Sequence, residues 1–197
     1  MVEFREMMIR RDIGYVASFE PKDAEVFQKH MYLCNIDNRY SVNPMLKKLD
    51  RVYNDQTTDI EPIKVGKSGN KLVNEGLIAL AEFQVGKRTR QFNYYGIGES
   101  SQAVNIKDDH LYEEVSRLRI PDAGGTFIQR QSTVFYSVFF PKTTPDCEVA
   151  ETGIMDAKNQ SEDRMLLRTV LQGPDQIPHE KDFDTIFVAH VIYSGSV

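Results

Sequence analysis

Val134-Phe135-Tyr136-Ser137-Val138-Phe139-Phe140, the end of a β-rich run that begins at Phe127, decides the fold class. Successive side chains of a strand point to opposite faces. Val134, Tyr136, Val138 and Phe140 therefore share one face, and Phe135 and Phe139 share the other. A strand that is apolar on both faces has to be covered on both, so this run predicts a central strand of a layered β domain. Cys147–Met155, Leu166–Leu171 and Thr185–Tyr193 read as three more strands. They are separated by Lys158-Asn159-Gln160-Ser161-Glu162-Asp163 and by Gly173-Pro174-Asp175, both rich in turn formers. Such hairpin-like spacing predicts antiparallel pairing.

Upstream of the strands the period changes. Leu72, Val73, Leu77, Leu80 and Ala81 fall on one face of a helix that Asn70 can cap, through its side-chain oxygen, and that Gly86 can end in a left-handed C′ position. Phe92, Tyr94 and Ile97 follow, with Gly96 and Gly98 where the backbone can bend. Asp108-Asp109 ahead of Leu111, Val115 and Leu118 predicts a second, short amphipathic helix with acids at its positive end. Residues 70–197 are thus expected to form an α+β, mainly β domain: an antiparallel β-sandwich with two covering helices.

Residues 1–69 have a different character. Ile13, Tyr15 and Ala17 alternate as in a short strand. Glu20-Pro21 then opens a helix whose stripe is Ala24, Phe27, Met31 and Cys34, since Pro is well tolerated in a first helical turn. From Asn35 to Gly69 no period is sustained beyond a helical turn around Met45–Val52. Long aperiodic stretches tend to be functional arms or linkers, so 1–69 is expected to be an irregular N-terminal arm lying on a neighbour. Ile9, Arg10, Arg11, Phe19 and Tyr40 are its candidate interface anchors, because aromatic, apolar and Arg side chains dominate interface energetics.

Composition excludes several function classes. The chain has 197 residues, 41% of them hydrophobic, enough to bury a core. Its 24 Lys and Arg against 29 Asp and Glu give a formal charge of −5, and its best basic cluster is the single loop Lys87-Arg88-Thr89-Arg90. Nucleic acid is not an expected partner. No apolar run approaches the ~20 residues needed for a membrane span, and Met1-Val2-Glu3-Phe4-Arg5-Glu6 carries charge where a signal peptide needs an apolar segment. Synthesis in a cytoplasm is expected, with Cys34 and Cys147 as two free, buried thiols.

Chemistry-bearing motifs fail their spacing tests. Gly66-Lys67-Ser68 ends like a phosphate-binding loop, but Glu61 stands where that motif needs its first Gly. His30, His110, His179 and His190 are scattered singly, without the i, i+4 or alternate-residue spacing of a zinc site. Asp108-Asp109-His110 reads as a helix N-terminus, and His190, inside Ile186–Tyr193, reads as a hydrogen-bonded core residue. No Ser or Cys stands in a signature turn with a base and an orienting acid. The expectation is a protein without catalytic residues, metal or cofactor.

The order of the pieces from Asn70 onward resembles a family. Lys71–Leu80, then Phe92-Asn93-Tyr94-Tyr95-Gly96-Ile97-Gly98-Glu99-Ser100-Ser101, is similar to the helix and strand-turn of a module in tail-collar and tail-fibre proteins of tailed bacteriophages. Asp108–Arg119, Tyr136–Pro141, Glu148–Ala157 and Leu166–Val170 resemble that module's following segments in the same order, so the likeness spans about two thirds of the chain. It implies a virion structural protein in the tail, baseplate, collar or neck, made in the host cytoplasm. Other virion proteins and copies of itself, in a symmetric ring or trimer, would be the partners. A capsid decoration or receptor-binding protein is the alternative, and a small cell-wall or polysaccharide hydrolase a third reading. In the fibre proteins the module precedes a long shaft, which this sequence does not carry.

Overall fold

The structure, a computed structural model, describes residues 13–36, 43–120, 126–130, 133–159 and 164–193. Two five-stranded antiparallel sheets form its body. In chain order the elements are β1 (Ile13–Phe19), α1 (Pro21–Ile36), α2 (Asn43–Tyr53), β2 (Lys64–Gly69), β3 (Lys71–Leu72) and α3 (Asn74–Gln84). Then follow β4 (Tyr94–Gly98), β5 (Glu114–Arg119), β6 (Thr126–Arg130), β7 (Thr133–Phe140), β8 (Cys147–Val149), β9 (Glu151–Met155), β10 (Met165–Val170), β11 (Ile177–His179) and β12 (Thr185–Tyr193). The first sheet runs β2-β1-β12-β7-β6 and the second β3-β10-β9-β4-β5, while β11 and β8 make a small ribbon.

Apolar alternation builds three layers on this frame. Val16, Val138, Phe140, Ile186 and Val188 of the first sheet pack with Tyr95, Ile97, Ile154 and Leu167 of the second. The opposite face of the first sheet offers Tyr15, Ala17, Phe135, Phe139 and Phe187 to Phe27 and Met31 of α1 and to Met45 and Leu49 of α2. β7 is therefore an inner strand covered on both faces, as its two-sided pattern requires. On the outer face of the second sheet, Leu111 covers Met155 and Met165.

The expected arm is corrected by this pairing. β1 lies between β2 and β12, with Val16 opposite both Gly66 and Val188. Asp50 of α2 accepts hydrogen bonds from Tyr15 Oη (3.1 Å) and Lys67 Nζ (2.5 Å). Residues 13–36 and 43–69 thus complete the sandwich, and the boundary expected at 69/70 falls between two strands of one body. Their aperiodicity reflects short elements with non-local partners, β1 against β12 near the far end of the chain and β2 against β1 across the two helices, pairings that local period cannot register.

Four element assignments also change. Cys147–Met155, expected as one strand, divides at Ala150 into β8 of the small ribbon and β9 of the second sheet. The helix expected over Asp108–Arg119 is instead an irregular segment followed by β5, which pairs with β4 from Tyr94↔Arg119 to Gly98↔Glu114. Phe127–Phe140 is a hairpin, β6 with β7, rather than one strand, because the polar run Gln129–Thr133 interrupts it. α3 starts at Asn74 and has Val73 as its uncapped N-cap. Asn70 Oδ1 is engaged elsewhere, by Thr169 Oγ1 at 2.7 Å. Gly86 does end the helix: it has φ +72°, and Gly86 N and Lys87 N donate to Phe83 O and Glu82 O, which is the Schellman pattern.

Candidate docking surface

α3 is packed with its small residues inward. Gly76 and Ala79 are its buried residues. A Cβ on Gly76 would stand 2.6 Å from Leu166 Cα and would strike the Leu166 carbonyl oxygen, so the helix lies directly on the β10 backbone. That close approach leaves no room beneath the helix for large side chains, which consequently face outward. Of these Leu77 is 49% exposed, Ile78 48% and Val85 67%, whereas Phe83, on the same face as Gly76 and Ala79, runs past the contact with β10 and is 52% exposed over the neighbouring cleft. The apolar face expected to be buried through Leu77 and Leu80 is therefore reversed.

The patch has two parts and a charged edge. Leu77, Ile78, Ala81 and Val85 form an outward stripe at three- and four-residue spacing, all of them exposed. Beside it Leu80 and Phe83 overhang a cleft of about 270 Å³, which Phe92, Val134 and Tyr136 line on the far side. On the opposite flank Glu82 pairs with Arg164 Nη1 at 2.7 Å and with Arg88 Nη1 at 4.0 Å, and Arg88 also pairs with buried Asp156. Arg164 Nε reaches Glu75 at 3.5 Å. The edge charges are thus matched within the chain. Five large apolar side chains at these exposures give on the order of 500 Å² of surface, the size of the largest apolar patch on a typical monomer, which is often functional.

The buried titratable groups are arranged differently: they are paired within the chain and closed off. Arg168 is fully buried, donating from Nε to Glu151 Oε2 at 2.8 Å and from Nη1 to Asp108 Oδ2 at 3.0 Å, with its guanidinium 4.5 Å from the Tyr112 ring centre. Tyr112 Oη donates to Asp108 Oδ1 at 2.8 Å, and the backbone N–H groups of Tyr112 and Glu113 donate to Glu151 at 3.3 and 2.8 Å. The cluster pins segment 108–113 onto the second sheet. His179 bridges Asp184 Oδ1 (2.8 Å) and the Thr144 carbonyl (3.1 Å), tying β11 to the loops on either side.

His190 and Cys147 have the protonation states expected of core residues. His190 Nε2 lies 2.9 Å from Thr152 Oγ1, joining the two sheets, and burial pushes its pKa down to about 3. Burial, and after it the nearby carboxylates of Glu99, Asp184 and Asp146, push the Cys147 thiol up to about 12. At neutral pH the imidazole is uncharged and the sulfur holds its proton. Among the described residues no three His, Cys, Asp or Glu side chains converge as a metal ion would need, and no helix is long and apolar enough to cross a membrane.

The anchors read from the sequence are placed as follows. Phe19 is 1% exposed, its ring 5.2 Å from that of Phe27, so it is a core residue rather than an anchor. Ile9, Arg10, Arg11 and Tyr40 lie outside the described residues. Sequence reasoning misses the α3 patch, although Leu77, Ile78, Leu80, Phe83 and Val85 together occupy more of the helix circumference than one buried stripe needs. It misses the buried cluster too. The signal there is an Arg inside Leu166-Leu167-Arg168-Thr169-Val170, since a charge in a buried strand demands a partner.

Comparison with protein-family models, with curated proteins and with solved structures finds no match to this chain.

Proposed function

We propose that this chain is a structural subunit of a tailed-bacteriophage particle, placed in the tail, baseplate, collar or neck, and that it works by protein–protein assembly through the outward face of α3. The observation that carries this reading is the inverted packing of α3, with Gly76 and Ala79 inward and Leu77, Ile78 and Val85 outward. Free energy is lost when such a face stays in water, at about 25 cal/mol per Å², and a helix selected only to cover its own sheet would turn the large residues in. The ordered likeness of Lys71–Val170 to the phage tail-collar module supplies the setting. The buried Arg168 and His179 clusters act in this reading as internal ties that hold the docking face rigid, and the subunit is made in the host cytoplasm and carried in the virion.

The test is incorporation. Ile78→Glu changes an exposed side chain, so the purified variant should keep the wild-type melting temperature. Supplied in trans to a phage lacking its own copy, it should be absent from purified particles. A variant that melts normally and enters particles at the normal copy number would remove α3 from the assembly surface.

A further inference from the structure

We propose that copies of this chain associate head to tail, with Phe183 of one copy seated in the cleft between α3 and β7 of the next. The inference goes beyond the α3-face reading above, because it assigns a second contact surface and names both of its halves.

The knob is held rigidly. Glu180–Asp184 is the loop between β11 and β12, and each of its backbone N–H groups is hydrogen-bonded. Glu180 N donates to Asp184 Oδ1 at 2.9 Å, Lys181 N to Asp146 Oδ1 at 2.6 Å and Asp182 N to the Lys142 carbonyl at 2.7 Å. Phe183 N and Asp184 N donate back to the Glu180 carbonyl at 3.1 and 3.4 Å. Asp182 is kept at φ +66°, a left-handed conformation uncommon outside glycine. All this order leaves the Phe183 side chain 58% exposed. An aromatic ring on a backbone that is already fixed loses little entropy on docking, which suits it as an anchor.

The cleft suits such a ring. Its volume of about 270 Å³ lies just below the roughly 300–1,000 Å³ of small-molecule sites, and its walls include Leu80, Phe83, Phe92, Val134 and Tyr136. Aromatic walls favour an aromatic guest in offset or edge-to-face contact.

Charge selects the pairing of knob with cleft. On the Phe183 loop and the ribbon beside it, the exposed carboxylates of Asp146, Glu148, Glu180 and Asp182 outnumber Lys142 and Lys181. At the cleft the sign reverses: among the described lining residues Arg90 carries the charge, and exposed Lys87 lies on the same loop. Complementary potentials favour knob against cleft over two like ends.

Position makes the contact intermolecular. Ile186 of β12 lies opposite Phe140 of β7, and Ile192 lies opposite Val134. Phe183 stands just before the first of these ends and the cleft at the second, about 20 Å away at roughly 3.3 Å per residue. A chain cannot fill its own cleft with this ring, whereas a copy displaced along the strands can. A heterologous contact of this kind, repeated, builds a row that closes into a ring where the rotation between copies allows.

Photo-cross-linking of the full chain tests the pairing. A chain with p-benzoylphenylalanine in place of Phe183 is mixed with isotope-labelled wild type at roughly 100 μM, where a contact of micromolar Kd is saturated, and irradiated. The expected product has twice the 22.6 kDa of one chain and joins a labelled to an unlabelled copy. Peptide mapping should place the adduct at Leu80, Phe83 or Phe92 of the labelled copy. Leu80→Glu in that copy sets a carboxylate against the acidic knob and should cut the yield about tenfold or more. If Leu80→Glu lowers the melting temperature, Gln91→Glu, exposed at the same cleft, takes its place.

Absence of linked copies, adducts mapped mainly outside the cleft, or a yield that the carboxylate variant leaves unchanged each overturns the pairing. Ile78→Glu, on the outward stripe, should leave the cross-link intact, and its loss would overturn the assignment to the cleft. The assembly reading is separately exposed. If no cross-link forms and Ile78→Glu is excluded from particles, only the head-to-tail contact falls. If the cross-link forms and Ile78→Glu is incorporated normally, only the α3-face reading falls.

Discussion

Replacing Arg168 by Met should be among the most damaging single changes in this chain. Met roughly preserves the volume of the stem but removes the only cation facing Asp108 and Glu151 in the described cluster. Two carboxylates would remain, with side-chain exposures of 2% and 0%. They are not wholly abandoned, since Asp108 still accepts from Tyr112 Oη and from the Asn105 amide, and Glu151 from two backbone amides. Breaking a buried ion pair from one side costs about 3–5 kcal/mol, and those remaining donors argue for the lower half of that range. For a chain of this length each kcal/mol is worth about 2–4 °C, so the midpoint should fall by about 6–16 °C. Urea denaturation followed by circular dichroism reads the loss directly. The decisive comparison is Arg168→Met combined with Asp108→Asn and Glu151→Gln, which removes the orphaned charges and should regain part of the loss. A single variant within about 1 kcal/mol of wild type, or a triple variant less stable than the single, would refute the view that this cluster is an electrostatic tie.

Two further outcomes follow from packing and titration. Gly76→Ala should destabilise by about 1–3 kcal/mol because its Cβ meets the Leu166 backbone; helix propensity alone predicts a gain of about 1 kcal/mol, so the sign of the change in urea midpoint decides. His190 folds neutral, with its pKa pushed to about 3 by burial from an ordinary 6.5, so the unfolded chain binds the extra proton between those values. Its contribution to stability is complete above pH 6.5 and is lost as pH falls toward 3, at up to about 1.4 kcal/mol per pH unit. His190→Gln should flatten that slope between about pH 4 and 6, and an unchanged slope would show that the imidazole is not the group responsible.

Strands are legible in the sequence where burial is two-sided and local. Thr185–Tyr193 is β12 with the expected bounds, and Val138, Phe140, Ile186 and Val188 are in the core as their alternation requires. The α1 stripe of Ala24, Phe27 and Met31 is buried for the same reason. Legibility fails where a residue's fate depends on a distant neighbour. Val115 and Leu118 have spacings that suit a helix, but β4 offers an open edge, and ladder hydrogen bonds outweigh a weak helical period. Phe19 resembles an anchor because nothing near it in sequence hides it; Phe27 and the sheet do.

The amino-acid sequence by itself determined the β-rich class, the antiparallel habit, the interruption at Gly86 and the apolar strands of the core, because all of these are written in local period and backbone stereochemistry. Tertiary structure alone decided which way α3 faces. Gly76 and Ala79 allow the helix to sit on the β10 backbone, and once that contact forms there is no space for Leu77 or Ile78 beneath it. Steric exclusion between two elements far apart in the chain, rather than hydropathy along one of them, turned an expected core face into an exposed one.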